Sequence, residues 1–168
     1  MTHVLRQSCR KDVQAMHKIR LSVNENRLSS TALSESDYWR ATEMNGRGWV
    51  IESDGEIVAF AVGNAATGNI WALFVHPKCE GQGHGRRLLT TVCEWLWSQG
   101  RETLWLATRP NTRGAEFYTR AGWSQRGHFA SGELRFEFRR QTRSQNPADP
   151  SEADPRDAEP VEPTGANA

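Results

Sequence analysis

The stretch LFVHPKCEGQGHGRRLL, residues 73–89, runs from apolar residues through a proline and three alternate glycines to two arginines and a leucine pair. It joins two elements of different hydrophobic period. NIWALFVH, residues 69–76, is a continuous apolar run that reads as a buried central strand halted by Pro77. Beyond the glycines, Leu88, Leu89, Val92, Trp95 and Leu96 fall on one stripe, which predicts a long amphipathic helix from about Gly83 to Ser98 with Gly100 as its C-terminal stop. Gly81, Gly83 and Gly85 therefore stand between a strand and a helix N-terminus. There, backbone N–H groups and the helix dipole can hold phosphate oxygens, and the missing side chains permit close approach. Taken alone, the same loop reads equally as a tight strand-to-helix turn. Two familiar phosphate loops are excluded. A P-loop needs Lys-Ser or Lys-Thr after its last glycine, where this chain has Arg86 and Arg87, and the dinucleotide fingerprint fails because Arg86 or Leu88 falls at its third glycine.

Working upstream, WVIES and EIVAFAVG are strand-like runs separated by Asp54-Gly55, a dipeptide suited to the positive backbone angles of a tight hairpin. HVLRQS predicts a first strand. Asp12 is expected to cap a helix from about Val13 to Val23, with Val13, Met16, Ile19 and Val23 at helical spacing. Ser34 and Asp37 form an imperfect capping box for a second short helix, SESDYWRATEM, ending at Asn45-Gly46. Downstream, TLWLAT reads as another buried strand, TRGAEFYTRAG as a short helix ended by Gly122, and WSQRG and ELRFEFRR as a final strand pair. The expected architecture is mixed α/β: a mostly antiparallel sheet of about seven strands flanked by about four helices, splayed near the fourth and fifth strands.

The chain has 168 residues, enough for one sizeable domain, expected over residues 1–140. Residues 141–168 hold five of the seven prolines and no aromatic, a composition that cannot offset the entropy of ordering and predicts a disordered acidic tail. Charge divides accordingly: residues 1–140 carry 19 Lys and Arg against 14 Asp and Glu, and residues 141–168 carry 2 against 6. The mild basic excess suits a polyanionic small ligand and is too small for a nucleic-acid-binding stripe. Cys9, Cys79 and Cys93 lack metal-site or disulfide-framework spacing, so no metal and reduced thiols are expected. With no secretory leader or membrane-length apolar run, a cytoplasmic protein without membrane contact is expected.

The segment LFVHPKCEGQGHGRRLL resembles the acetyl-CoA motif of the GNAT acetyltransferases, Arg/Gln-x-x-Gly-x-Gly/Ala, with Glu80 to Gly85 in its six positions. Some thirty residues on, NTRGAEFYTRAGW, residues 111–123, resembles the second motif of that family, an Asn followed by an aromatic pair and then Gly and an aromatic. The resemblance extends from about Thr2 to Arg139. It implies acetyl-CoA as co-substrate, its pyrophosphate on the backbone of Gly81, Gln82, Gly83, His84, Gly85 and Arg86, and its pantetheine arm along Phe74 and Val75 and hydrogen-bonded to Asn111. Glu80 departs from the family's Arg or Gln, which puts cofactor affinity in question, with Arg86 and Arg87 as nearby positive charge.

Acetyl transfer needs a neutral amine, an oxyanion site and a proton for the departing thiolate. The resemblance makes Tyr118 the catalytic acid; a packing role for Phe117 and Tyr118 is the plainer alternative. The oxyanion would meet a backbone N–H near Leu73 or Phe74. Where family members carry a carboxylate early in this strand, the chain has Asn69, Ile70 and Trp71. That lack matters more for a lysine-like amine, which costs about 4–5 kcal/mol to deprotonate at neutral pH, than for an α-amine at about 1 kcal/mol. Glu25, Glu52 and His76 are the candidate substitute bases, with a water chain to bulk solvent as the alternative; most tryptophans, Trp49, Trp95 and Trp105 among them, are assigned to the core, which leaves Trp39 and Trp71 as the candidates for the acceptor site. The resulting expectation is an N-acetyltransferase acting on a small-molecule or peptide amine through a direct ternary complex, with a homodimer common in the family. A non-catalytic acyl-CoA-binding module is the alternative.

Overall fold

A computed structural model of the chain describes residues 2–24 and 33–140. The expected tail, 141–168, and the candidate base Glu25 lie outside the described residues. Seven strands form one sheet: β1 (His3–Gln7), β2 (Gly46–Ser53), β3 (Glu56–Asn64), β4 (Asn69–Val75), β5 (Thr103–Thr108), β6 (Ser124–His128) and β7 (Leu134–Arg139). Their order is β1-β2-β3-β4-β5-β7-β6, and every pairing is antiparallel except β4 with β5. Among the described residues four α-helices accompany them: α1 (Val13–Ser22), α2 (Glu35–Trp39), α3 (His84–Ser98) and α4 (Arg113–Arg120).

Strand alternation builds two cores on opposite faces of the sheet. Trp49 and Ile51 of β2 and Ala59 and Ala61 of β3 pack with Leu88, Val92 and Leu96 of α3. Val50, Phe60 and Val62 pack instead with Val13, Met16 and Ile19 of α1 and with Tyr38 of α2. The β2–β3 hairpin turns on Asp54 (φ 49°) and Gly55 (φ 87°), the double positive angle that the Asp-Gly pair accommodates. Helix α3 lies so close to β3 that a Cβ on Gly63 would come within 2.6 Å of Val92 Cγ2.

Two expectations about helix starts and continuity are corrected. Asp12 does not cap α1: its carboxylate accepts two hydrogen bonds from Arg6 (2.8 and 2.9 Å) and one from the Cys9 N–H (2.8 Å), closing a 3-10 turn over Arg10–Asp12 that precedes the helix. The long-range arginine pair outcompetes the local capping bond. The second helix is α-helical only over Glu35–Trp39, where Asp37 accepts the Ser34 N–H (2.7 Å), and then widens into a π-turn over Arg40–Met44 before β2.

The feature that positions the site is the join of β4 to β5. These parallel strands share a single register pair, Asn69 with Trp105, secured by the Trp105 N–H to the Gly68 carbonyl (3.0 Å) and Asn69 Nδ2 to the Trp105 carbonyl (3.3 Å). Beyond that point the strands part. On its other edge β4 pairs with β3 along its length, but with one extra residue, Trp71, between the Gly63–Ile70 and Val62–Ala72 pairs. This bulge changes the alternation: Ile70 belongs to the α3 face, whereas Trp71, Ala72 and Phe74 all face the α1 side.

Candidate active site

The splay opens the β4 edge, and the hydrogen-bond phase determines which groups it offers. The His76 N–H bonds to the Val58 carbonyl at 2.8 Å. In an antiparallel ladder bonded pairs alternate, so the Phe74–Phe60 and Ala72–Val62 pairs also exchange bonds with β3, while Leu73 and Val75 direct their N–H and C=O groups to the opposite, open edge. Of the strand residues named from sequence, Val75 thus presents its backbone to the cleft, and Phe74 contributes its side chain.

Two cavities meet at this edge. The larger, about 490 Å³, lies between β4, the glycine loop and α4, with walls from Leu73, Val75, Gly81, Gly83, Gly85 and Phe117. The smaller, about 260 Å³, continues between the parted strands, with walls from Arg20, Asn69, Trp71, Trp105, Thr108 and Glu133. Leu73, Phe74, Gly114 and Tyr118 belong to both. Gly114 keeps the junction narrow and open, since a Cβ there would stand 3.1 Å from Thr108 Oγ1.

The glycine loop enters α3 through two left-handed residues, Gly81 (φ 73°) and Gly83 (φ 83°). A Cβ on either would meet nothing within 4 Å, so within this chain it is the backbone angle, not crowding, that demands glycine. The first bond of the helix is the Arg87 N–H to the Gly83 carbonyl (3.0 Å). The N–H groups of His84, Gly85 and Arg86 precede it and have no helical acceptor, leaving a positive helix end at the larger cavity. Arg86 lines that cavity, whereas Arg87 turns to the His3 carbonyl of β1 (3.4 Å). The His84 ring is buried edge-on against His3, 4.7 Å between centroids, and burial lowers its pKa, so a neutral imidazole stands at the helix start. Gln82 and Asn111 are exposed and outside the walls of both cavities; Asn111 adopts a left-handed φ of 58° in the turn before α4. Glu80, the motif's odd residue, lines the larger cavity and forms an ion pair with Arg113 in the first turn of α4.

Tyr118 is buried among Phe117, Trp123 and Phe136, at ring-centroid separations of 5.1, 5.8 and 6.2 Å. Burial pushes its phenol well above the ordinary value, with a smaller contribution from Cys93, so it is protonated at any physiological pH. The Cys93 thiol is itself pushed up to about 12 by burial, which rules it out as a thiolate nucleophile. Among the described residues no three His, Cys, Asp or Glu side chains are grouped to hold a metal, and no helix is long and apolar enough to cross a membrane.

The other candidate bases stand elsewhere. Glu52 accepts from Arg6 (3.2 Å) and His76 Nδ1 accepts the Lys78 N–H (3.2 Å). Neither lines a cavity. Trp39 stacks on Arg10 (4.8 Å), away from the cavities, and Trp105, assigned to the core from its strand, is a cavity wall because its strand departs from β4 there. Sequence reasoning also missed Arg20 and Glu133, the two charged residues of the smaller cavity among the described residues. The helical stripe of α1 would have placed Arg20 beside the sheet, but nothing local marks Glu133, which follows the Gly132 turn between β6 and β7.

The model of the acetyltransferase (GNAT) family matches residues 12–123. The chain belongs to the GNAT acetyltransferase family. Its open mixed sheet is the fold of that family. Over 72 residues it is 33% identical to the [ribosomal protein bS18]-alanine N-acetyltransferase of Haemophilus ducreyi, covering 41% of this chain and 50% of that enzyme. The chain thus spans about half the length of the curated relative it matches. Among solved structures, the ribosomal-protein-S18-alanine N-acetyltransferase of Escherichia coli is 19% identical with a TM-score of 0.67, covering 86% of this chain and 98% of that one. PaiA N-acetyltransferase of Thermoplasma acidophilum, solved with coenzyme A, is 13% identical with a TM-score of 0.69, covering 83% and 100%. At these identities the structural likeness is one of fold.

Proposed function

We propose that this GNAT protein transfers an acetyl group from acetyl-CoA to a primary amine within a direct ternary complex. The observation that carries the reading is the meeting of the two cavities at the Tyr118 side chain: one cavity has the free N–H groups of a helix start, the other an aromatic and polar wall. The residues present fit a thioester with a phosphate-bearing arm. Positive φ at Gly81 and Gly83 turns the loop, the N–H groups of His84, Gly85 and Arg86 are unclaimed by the helix, and the β4 edge at Leu73 and Val75 can accept an extended arm as an added strand.

Within that arrangement the Leu73 N–H is the oxyanion donor, because the Phe74 N–H is engaged with β3. The Tyr118 phenol supplies the proton to the leaving sulfur; its raised pKa keeps the proton in place until charge develops. Glu133 is the carboxylate among the smaller cavity's described walls and takes the place of Glu52 and His76 as the group through which an ammonium proton would leave. An N-acetyl acceptor of the α-amine kind, as in the bS18-alanine enzymes, fits the modest basicity such an arrangement can handle.

Release of free CoA thiol, followed over a panel of amines at saturating acetyl-CoA, tests this reading. Amine-dependent thiol release, with N-acetyl product seen by mass spectrometry, is expected. Acetyl-CoA binding with no amine raising thiol release above background would replace it with a non-catalytic binding module.

A further inference from the structure

Arg20 projects from the last turn of α1 into the second core, where its Cζ lies 4.6 Å from the Trp71 ring centroid, 4.9 Å from Phe74 and 6.0 Å from Tyr38. Its Nε and Nη1 are cut off from solvent and have no hydrogen-bond partner among the described residues. The Tyr38 hydroxyl, 3.1 Å from His17 Nδ1, also interacts with the guanidinium, but it leaves Nε and Nη1 without a bond. Three other partly buried arginines are treated differently: Arg6 meets Asp12 and Glu52, Arg101 Nε donates to the Ala65 carbonyl (2.5 Å), and Arg135 donates to Glu137 (2.9 Å). Arg20 alone of these four lines the smaller cavity.

Enclosing two guanidinium nitrogens without an acceptor is costly, and the aromatic faces offset only part of that cost, since they satisfy charge but not N–H donors. The Trp71 bulge is what brings this about. Without the extra residue Trp71 would not share a face with Ala72 and Phe74, and the indole would not lie over Arg20. Nη2, the one guanidinium nitrogen not so enclosed, belongs to a residue that lines the cavity, and a cation held there by aromatic rings is matched in charge by a carboxylate.

We propose that Arg20 is the anion-recognition residue of the acceptor site, so that the acceptor is a primary amine bearing a carboxylate within the same small unit. A volume of about 260 Å³ admits an amino-acid-sized group, free or as the first residue of a peptide with an acidic side chain. The opposite charge, Glu133, gives the cavity the two poles of an amino carboxylate. Polyamines and other polycations are disfavoured. This inference rests on the acetyl-transfer reading above, and its test separates the two.

The test compares each amino acid with its carboxamide, and peptides beginning with Asp or Glu with those beginning with Asn or Gln, in wild type and Arg20→Gln. In at least one arm the carboxylate member is expected to exceed its neutral partner by about tenfold or more in kcat/KM, mainly through KM. Which arm does so tells a free amino acid from a peptide terminus. In Arg20→Gln the ratio of the carboxylate member to its neutral partner falls to about one. Turnover of neutral amines with no carboxylate preference in either arm overturns the inference and leaves the acetyltransferase standing, as does an equal loss for both members in Arg20→Gln. Melting temperature covers the case without turnover: carboxylate members must raise it in wild type and not in the variant, and their failure to do so sinks the inference. Should Arg20→Gln not fold, the acid-against-amide ratio in wild type still decides.

Discussion

Replacement of Gly83 by alanine separates a phosphate cradle from an ordinary turn. Gly83 has φ 83° and caps α3, and a Cβ there meets no atom within 4 Å, so no steric clash contributes in the free protein. The remaining cost is the left-handed backbone, about 1–2 kcal/mol for a residue with a Cβ, partly offset by the lower entropy of the unfolded alanine chain, about 0.4–1 kcal/mol. The net loss of about 1 kcal/mol corresponds to a melting temperature lower by about 2–4 °C for a chain of this size. Gly100 is the matched control: its φ is 82°, its Cβ would also meet open space, and it lies at the far end of the same helix. Both variants should therefore melt a few degrees low. Acetyl-CoA at a hundred times its dissociation constant adds about 2.7 kcal/mol to wild type. Gly100→Ala keeps that shift, whereas Gly83→Ala loses most of it, because the methyl group stands where phosphate oxygens must approach the N–H groups. Equal ligand shifts in the two variants, read by differential scanning fluorimetry, would refute the cradle and reduce the loop to a connection.

Tyr118→Phe should lower kcat by about a hundredfold with acetyl-CoA affinity nearly unchanged; an unaltered kcat would assign the tyrosine to packing alone. Because the phenol pKa is raised in the folded state, its contribution to stability is unchanged below the unfolded value of about 10 and declines as pH rises above it, and kcat should show no alkaline limb from this group below that pH. Asp12→Asn should cost about 1–3 kcal/mol in urea denaturation by leaving the Arg6 fork and the Cys9 N–H poorly matched. Since Arg6 lowers the Asp12 pKa, that stability is present above about pH 4, the unfolded value, and is lost as pH falls towards the folded one, a trend the Asn variant should lack. Amide exchange at Leu73 and Val75 should slow on adding acetyl-CoA while Phe74 is already protected; protection of all three in the free protein would contradict the open edge.

The local signals that sequence carries well are those fixed by one or two residues. Asp54-Gly55 called for positive backbone angles, and the hairpin turns there; the loop glycines were read for close approach, and the left-handed φ of Gly81 and Gly83 emerges only in the structure. The α3 stripe was equally legible because Leu88, Val92 and Leu96 answer to one period. Position 12 shows where such signals fail: an aspartate before an apolar helix looks like a cap, yet an arginine on the neighbouring strand holds it more strongly than the helix N–H groups can. Trp105 shows a second limit. Its strand pattern indicates burial, but burial depends on whether β4 continues beside it, and the separation after Asn69 leaves no mark in TLWLAT itself.

The acceptor site was the least legible part for a related reason. After Asn69 the strand is apolar throughout, so it carries no alternation against which an extra residue could be noticed, and the bulge at Trp71 becomes definite only through its register with β3. That one residue sets the face on which Trp71, Ala72 and Phe74 lie, and so decides that the cation from α1 is met by aromatic rings and not by an acid. The loop that would hold the co-substrate is encoded by residue type, since only glycine takes its backbone angles readily. The pocket that would choose the acceptor is encoded by register, a relation between segments distant in the chain. A search for relatives with the same acceptor should therefore look for an arginine late in α1 together with the β4 bulge, because the glycine motif reports on the co-substrate alone.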